Sequence, residues 1–261
     1  MEKTILITGA TDGIGRLTAQ KLAEQGHKVL LHGRSPDKLA EVAGTLGSQA
    51  ETYRADVSDL NETRALADAI SQKHDRLDVL INNAGVLKAP NTQASSGRDI
   101  RFEVNTLAPY ILTRALLPII PADGRIINLS SAAQASVDVA AMAGGHALDD
   151  MEAYSQSKLA ITIWSAELAK ELQDGPSVVS VNPGSLLASK MVKEGFGIAG
   201  NNLGIGADIL IRAALSDEFL GQSGRYFDND AGHFASPHPA AVEAGQIEAV
   251  MAAIERIVGE G

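Results

Sequence analysis

Ile5-Leu-Ile-Thr8 is a short apolar run that empties directly into Gly9-Ala-Thr-Asp-Gly13-Ile-Gly15, and a helical pattern follows over about residues 14–25. A run this short and apolar suits a strand buried on both faces, as in a parallel sheet. A glycine-rich turn between such a strand and a helix brings backbone N–H groups and the positive helix end to one point, where a pyrophosphate can bind. The glycines fall as G-x-x-x-G-x-G. That spacing differs from the G-x-G-x-x-G fingerprint and from the Walker pattern, which also needs a Lys-Ser/Thr pair.

The strand-turn-helix unit recurs along the chain. A second strand at 29–31 ends at His32-Gly33-Arg34. Ser35-Pro36-Asp37 then reads as N-cap, first helical Pro and first-turn acid of a helix running to Leu46. A third strand at 50–55 leads to Asp56-Val57, and a helix is expected over 60–74. A fourth strand at 77–81 closes on Asn82-Asn83-Ala84-Gly85. A continuous helix containing Asn105 is expected from about 99 to 117, ended by Pro118 and Pro121. A fifth strand at 125–129 delivers Ser130-Ser131. The Ala-rich stretch 132–150 has weak periodicity and is expected to be a flexible insertion over the site. After a helix at 151–172, a sixth strand at 178–182 runs into Pro183-Gly184.

Residues 191–206 mix six apolar side chains (Met191, Val192, Phe196, Ile198, Leu203 and Ile205) with five glycines, a combination expected of a mobile apolar lid. A helix at 207–215, a short strand at 225–227 and a terminal helix at 239–258 complete the chain. Asp228, Asp230 and Gly232 echo a calcium loop but lack its distal Glu, and His146, His233 and His238 have no ligand-like spacing, so no metal is expected. Strands alternating with helices, each strand ending in polar or glycine residues, define the expected fold class. It is a single-domain α/β, Rossmann-like, doubly wound parallel sheet over residues 1–261, with helices on both faces and ligands at the strands' carboxyl ends.

The formal net charge of -10 and the lack of any Lys/Arg run argue against nucleic acid or an anionic membrane as partner. With no cysteine, disulfide and thiolate chemistry are excluded, and a reducing cytoplasm is the expected location. The first apolar run begins at Ile5, so neither a signal peptide nor an anchoring helix is expected ahead of it.

Tyr154 and Lys158 lie four residues apart on the helix at 151–172 and so project from one face. A free phenol with pKa near 10 is about one part in a thousand phenolate at pH 7, so a useful base needs roughly 4 kcal/mol of help. An ammonium about 4 Å away supplies that order of energy at an effective dielectric near 20.

Thr8-Gly-Ala-Thr-Asp-Gly13-Ile-Gly15, Asn82-Asn-Ala-Gly85, Asn105, Ser131, Tyr154-x-x-x-Lys158 and Pro183-Gly184 together resemble the short-chain dehydrogenase/reductase family in order and strand context. The long interval from Ser131 to Tyr154, the run Tyr154-Ser-Gln-Ser-Lys-Leu-Ala160 and Ser223-Gly-Arg-Tyr-Phe227 resemble its retinol-dehydrogenase-like and protochlorophyllide-reductase-like branch. The resemblance implies a catalytic tetrad. Tyr154 is the proton donor or acceptor, Lys158 lowers its pKa and holds the nicotinamide ribose, Ser131 binds the substrate oxygen, and Asn105 orders a water-linked relay. The choice of Ser131 over Ser130 rests on the family pattern. Implied cofactor contacts come from Gly9, Thr11, Asp12, Gly13, Ile14 and Gly15 in the first loop and from Arg34 after the second strand. Asp56 and Val57 follow the third strand, Asn82, Ala84 and Gly85 the fourth, and Pro183 and Gly184 the sixth, with Tyr154 and Lys158 shared by both sets. After Pro183-Gly184 the family often has a Thr that contacts the nicotinamide amide; here Ser185-Leu-Leu-Ala-Ser189 stands instead, leaving Ser185 and Ser189 as candidates.

The expected activity is oxidoreduction of an apolar alcohol or carbonyl by hydride exchange with a nicotinamide cofactor. A dinucleotide-sensing or scaffold protein of the same fold is the alternative, against which the retention of Tyr154, Lys158 and Ser131 together counts. NADP(H) is favoured over NAD(H), because Gly33-Arg34 stands where an NAD enzyme carries an acid at the end of the second strand. Apolar residues around the central helix (Leu159, Ile161, Ile163, Trp164, Leu168, Leu172) raise the expectation of a homodimer or homotetramer.

Overall fold

The computed structural model describes residues 1–188, 191, 193, 197 and 199–259. Four apolar runs fill the middle of one sheet: β1 (Thr4–Ile7), β4 (Val79–Asn82), β5 (Arg125–Leu129) and β6 (Ser177–Asn182), whose apolar side chains are at most 6% exposed. With β2 (Lys28–Gly33), β3 (Ala50–Arg54), β7 (Tyr226–Asp228) and β8 (His233–Ala235), they form an eight-stranded sheet in the order β3-β2-β1-β4-β5-β6-β7-β8. All neighbours pair in parallel except β7 and β8. The order reverses between β1 and β4, and ligands of open α/β sheets bind outside the strand ends at such a switch point.

Two cores cover the sheet's two faces. On one, α1 (Gly13–Glu24), α2 (Pro36–Leu46) and α8 (Leu203–Leu215) pack over Ile5, Ile7, Leu31 and Ile127. On the other, α3 (Leu60–Ser71), α5 (Ala108–Leu116), α7 (Asp150–Glu171) and α9 (Ala244–Gly259) pack over Leu6, Leu30, Leu80 and Ile126. Caps set several helix starts: Ser35 Oγ accepts from Lys38 N at 3.4 Å with Pro36 at N1, and Asp149 and Glu152 form a capping box at the head of α7. No helix among the described residues is long and apolar enough to cross a membrane.

Three local expectations change, and one hairpin is added. The helix around Asn105 is not continuous: α4 (Ile100–Phe102) gives way to a π-helical turn over Glu103–Leu107 before α5 begins. The stretch 132–150 contains a short helix, α6 (Val139–Met142), capped by Asp138, and its Val137, Ala141 and Met142 are buried. α8 starts at Leu203, so the last four residues of the expected lid are helical; Gly206 fits there because a Cβ would lie 2.6 Å from Leu187. Val192, Glu194, Gly195, Phe196 and Ile198 of that stretch lie outside the described residues. Finally, the acidic run from Asp228 to Gly232 is the turn of a β7–β8 hairpin.

The apolar girdle of α7 also has an internal explanation. Leu159, Ile161, Ile163, Trp164 and Leu168 are at most 1% exposed within one chain, and Leu172 packs against the same cluster. The sheet covers one side of α7, while α9 and the turn at Pro239–Val242 pack against it from the chain's end.

Candidate active site

The loop after β1 is shaped for close approach. Gly9 and Gly13 have φ of +67° and +53°, and a Cβ on Gly15 would collide with Gly9 O and Asn83 Nδ2. Asp12 caps α1 through Gly13 N at 2.8 Å and pairs with Lys38 Nζ at 3.1 Å. Thr11 touches the space above Gly33, where a Cβ would stand 2.6 Å from its Cγ2. Ile14, beside them, lines the main cavity.

Three residues outside the expected set brace this loop. Asn83 Nδ2 donates to Thr8 O at 2.8 Å and Gly9 O at 3.2 Å, while Thr8 Oγ1 accepts from Asn83 N and Ala84 N, both at 3.0 Å. Buried His32 accepts from Gly9 N through Nδ1 at 3.3 Å, which leaves Nε2 to donate to Ala55 O at 3.1 Å. That pairing requires the neutral ring, and burial pushes its pKa down to about 4. The Asn-Asn pair was the available signal for Asn83; nothing local in the sequence marks His32.

The other expected cofactor residues divide into two sets. Arg34 is exposed at the end of β2 and has no ion-pair partner among the described residues. Asp37 sits in the first turn of α2. Val57 and Ala84 share a small depression at the strand ends with Thr8. Asp56 Oδ1 accepts from Ser58 N and Ser58 Oγ at 3.0 and 2.8 Å. Gly85 has no side chain to separate Asn105 from Lys158: a Cβ there would meet Asn105 Oδ1 at 3.4 Å and Lys158 Nζ at 3.6 Å. Asn82, by contrast, turns inward and donates to Thr113 Oγ1 at 3.0 Å and Asn128 Oδ1 at 2.7 Å, tying β4 to α5 and β5.

β5 and α7 bring the tetrad residues together. Lys158 Nζ donates to Leu129 O at 2.7 Å and lies 5.7 Å from the centre of the Tyr154 ring. Burial pushes its pKa down to about 8. Ser130 Oγ is taken up by Lys158 O at 3.1 Å and Thr162 Oγ1 at 2.7 Å, whereas Ser131 faces the same cavity as Tyr154. Burial raises the Tyr154 pKa and the nearby Ser131 hydroxyl opposes that rise. Asn105, in the π-helical turn, accepts from Val86 N at 2.8 Å and donates to Val86 O and Ser157 Oγ, both at 3.0 Å. One side chain thus links the segment after β4 to the turn of α7 between Tyr154 and Lys158. Single π turns recur at functional positions because they re-aim a side chain that a regular helix would point elsewhere.

Ser131 and Tyr154 face a cavity of about 320 Å³, walled on its apolar sides by Ile14, Leu87, Met151, Leu187 and Met191. Pro183 and Gly184 close one end, with Gly184 at φ +117°. Ser185 donates to Asp230 from both N (2.8 Å) and Oγ (2.5 Å). Ser189 lies outside the described residues. Leu186, next in the wall, is a non-glycine residue at φ +53°, a conformation that costs energy and is held by its surroundings.

The chain combines a parallel sheet, a glycine loop at its switch point and Ser131, Tyr154, Lys158 and Asn105 near an apolar cavity. The chain belongs to the short-chain dehydrogenase family, whose model matches residues 3–196. Human retinol dehydrogenase 13 is 32% identical over 258 residues, spanning 87% of this chain and 76% of that protein, which places the chain in a retinol-dehydrogenase-like branch. A Mycobacterium paratuberculosis protein matches in structure with a TM-score of 0.83 at 28% identity, covering 98% of this chain and 93% of its own. The Pseudomonas aeruginosa RhlG/NADP active-site complex matches with a TM-score of 0.71 at 25% identity, over 88% of this chain and 95% of the other.

Proposed function

We propose that this enzyme is an NADP(H)-dependent oxidoreductase acting on an apolar alcohol or carbonyl. The observation that carries the reading is that Ser131 and Tyr154 together face a mostly apolar cavity, with Lys158 behind them. A carbonyl gains negative charge on oxygen as it is reduced, and two hydroxyls converging on that oxygen stabilise the charge and deliver a proton. Ser131 donates to the substrate oxygen, and Tyr154 gives the proton in reduction and takes it in oxidation. Lys158 supplies positive charge near the phenol, and Asn105 holds the segment after β4 against α7.

The residues present fit a dinucleotide. Gly15 and Gly9 let the loop fold tightly where side chains would collide, the N-terminus of α1 points at the same place, and Arg34 is exposed and unpaired among the described residues. Gly9 to Gly15 would hold the pyrophosphate, Arg34 the 2′-phosphate, Val57 and Ala84 the adenine side, and Lys158, Pro183 and Gly184 the nicotinamide side. When bound, the cofactor supplies or accepts the hydride. Support for NADP(H) comes from Arg34 and from the NADP complex of RhlG; support for an apolar substrate comes from the cavity wall and from relatives named for retinol.

The test has two parts. Dissociation constants for NADP and NAD, measured on wild type and Arg34→Ala, should show wild type favouring NADP and the variant losing most of that preference; tighter NAD binding by wild type refutes the cofactor reading. A panel of alcohols and carbonyls followed by nicotinamide absorbance should select apolar compounds, and Tyr154→Phe should nearly abolish turnover at unchanged cofactor affinity. A preference for sugar phosphates, or a Phe variant that keeps most of its rate, refutes the catalytic reading.

A further inference from the structure

Ser131 stands where the chain has just left the sheet. The last ladder bond beside it is Ser130 N to Val181 O at 2.9 Å, and Ser131 belongs to no regular element. It nevertheless lines the cavity together with Tyr154, so something else must fix its peptide.

Two donors hold the Ser131 carbonyl: Tyr226 OH at 3.1 Å and Gln134 Nε2 at 2.8 Å. Gln134 is itself fixed, with Nε2 also reaching Ser130 Oγ at 3.4 Å and Oε1 accepting from His238 N at 3.2 Å. Tyr226 is 6% exposed and comes from β7, on the far side of β6 from β5.

The register of β7 explains why a tyrosine arrives there. Ser223 Oγ accepts from Val178 N at 3.0 Å, and Gly224, at φ +81°, donates to Val178 O at 2.7 Å, which pins β7 against β6 with Tyr226 opposite Ser180. Alternation then sends Phe227 to the opposite face, where it packs against Phe219 and Phe234. A slip of one residue would exchange Tyr226 and Phe227. The run Ser223-Gly-Arg-Tyr-Phe227, which the tetrad leaves without a role, is therefore built to deliver one hydroxyl to the back of Ser131.

We propose that Tyr226 and Gln134 are positioning residues for Ser131, clamping its carbonyl so that its hydroxyl stays beside Tyr154 in the cavity. The inference rests on the reading of Ser131 and Tyr154 as the pair that handles the substrate oxygen. Ser131 Oγ also accepts from Ala133 N at 3.1 Å, so the hydroxyl has few orientations left once the carbonyl is held. Releasing the carbonyl lets the peptide turn and the hydroxyl move away from Tyr154.

The test uses Tyr226→Phe and Gln134→Leu, with Ser131→Ala for reference and thermal unfolding to establish that each variant folds. Removing one net hydrogen bond of this kind should lower kcat for alcohol oxidation about three- to tenfold, with cofactor affinity unchanged. Because Ser131 opposes the upward shift of Tyr154, the alkaline limb of the oxidation rate should move to higher pH in both variants, and the double variant should lose less than the product of the single losses. A wild-type pH limb in Tyr226→Phe beside an inactive Ser131→Ala overturns the positioning role and leaves Ser131's assignment standing. A fully active Ser131→Ala overturns both.

Discussion

Replacing Lys158 by Met should abolish turnover and also change how the fold responds to pH. Lys158 is 3% exposed, and burial pushes its pKa from 10.5 to about 8. At roughly 1.4 kcal/mol per pKa unit, carrying the ammonium inside the fold at pH 7 costs about 3 kcal/mol relative to the unfolded chain. Between pH 8 and 10.5 the unfolded chain binds the extra proton, so this group's contribution to stability rises with pH there and is least favourable below pH 8. Met cannot titrate. Urea unfolding of wild type and Lys158→Met, without cofactor, should give a stability difference that is constant below about pH 7. It should then move in favour of wild type by about 2 kcal/mol by pH 10. Loss of the bond to Leu129 O, worth about 1 kcal/mol, offsets the Met variant equally at every pH. Parallel stability curves across pH 7 to 10 would refute the reasoning. Positive charge behind Tyr154 would then carry no folding penalty, and the conflict between stability and activity at this position would not exist.

Asn105→Ala removes three hydrogen bonds from a residue that is 1% exposed and should cost about 2 to 4 kcal/mol in urea unfolding, with kcat falling further than the stability loss explains. Gly15→Ala forces a Cβ onto Gly9 O and Asn83 Nδ2, so NADP binding followed by fluorescence titration should weaken at least about tenfold, the scale of a 1.4 kcal/mol loss.

The sequence marks what local chemistry can mark. Ile5-Leu-Ile and Arg125-Ile-Ile-Asn-Leu129 read as buried strands because they are short, apolar and closed by polar or glycine residues, and Tyr154 and Lys158 pair by helical spacing alone. Where contacts distant in sequence decide, the reading stops. Val104, Leu107, Ile111 and Leu112 are continuous with helical spacing, so nothing in the run announces the π turn that aims Asn105. Gly204 and Gly206 argue against helix, yet the tight approach of Ile14 and Leu187 to Gly206 favours glycine there. Asn82 and Asn83 look equivalent as letters. Alternation past the end of β4 puts one under the sheet with Asn128 and the other on the glycine loop. His32, Gln134 and Tyr226 act on residues 23, 3 and 95 positions away; even the short link runs through a loop with no periodicity to read.

The central helix carries the same lesson about what covers an apolar surface. A helix apolar on every side is buried on every side, and the sequence leaves open whether the cover is a second copy or the same chain. In α7 the cover is intramolecular: Val250, Ala253, Ile254 and Ile257 of α9 join the cluster that holds Trp164 and Leu168, and Trp164 meets Tyr110 edge-on at 5.6 Å. Association, if it occurs, must use other surface, and the core's stability should not depend on it. Two results follow. Ile254→Ala, at a fully buried position on α9, should cost about 2 to 5 kcal/mol. The urea midpoint of wild type should stay fixed over about a hundredfold range of protein concentration, because folding coupled to assembly would raise it with concentration by mass action. A midpoint that climbs with concentration, together with a small loss for Ile254→Ala, would mean that a second copy and not α9 closes the core over α7.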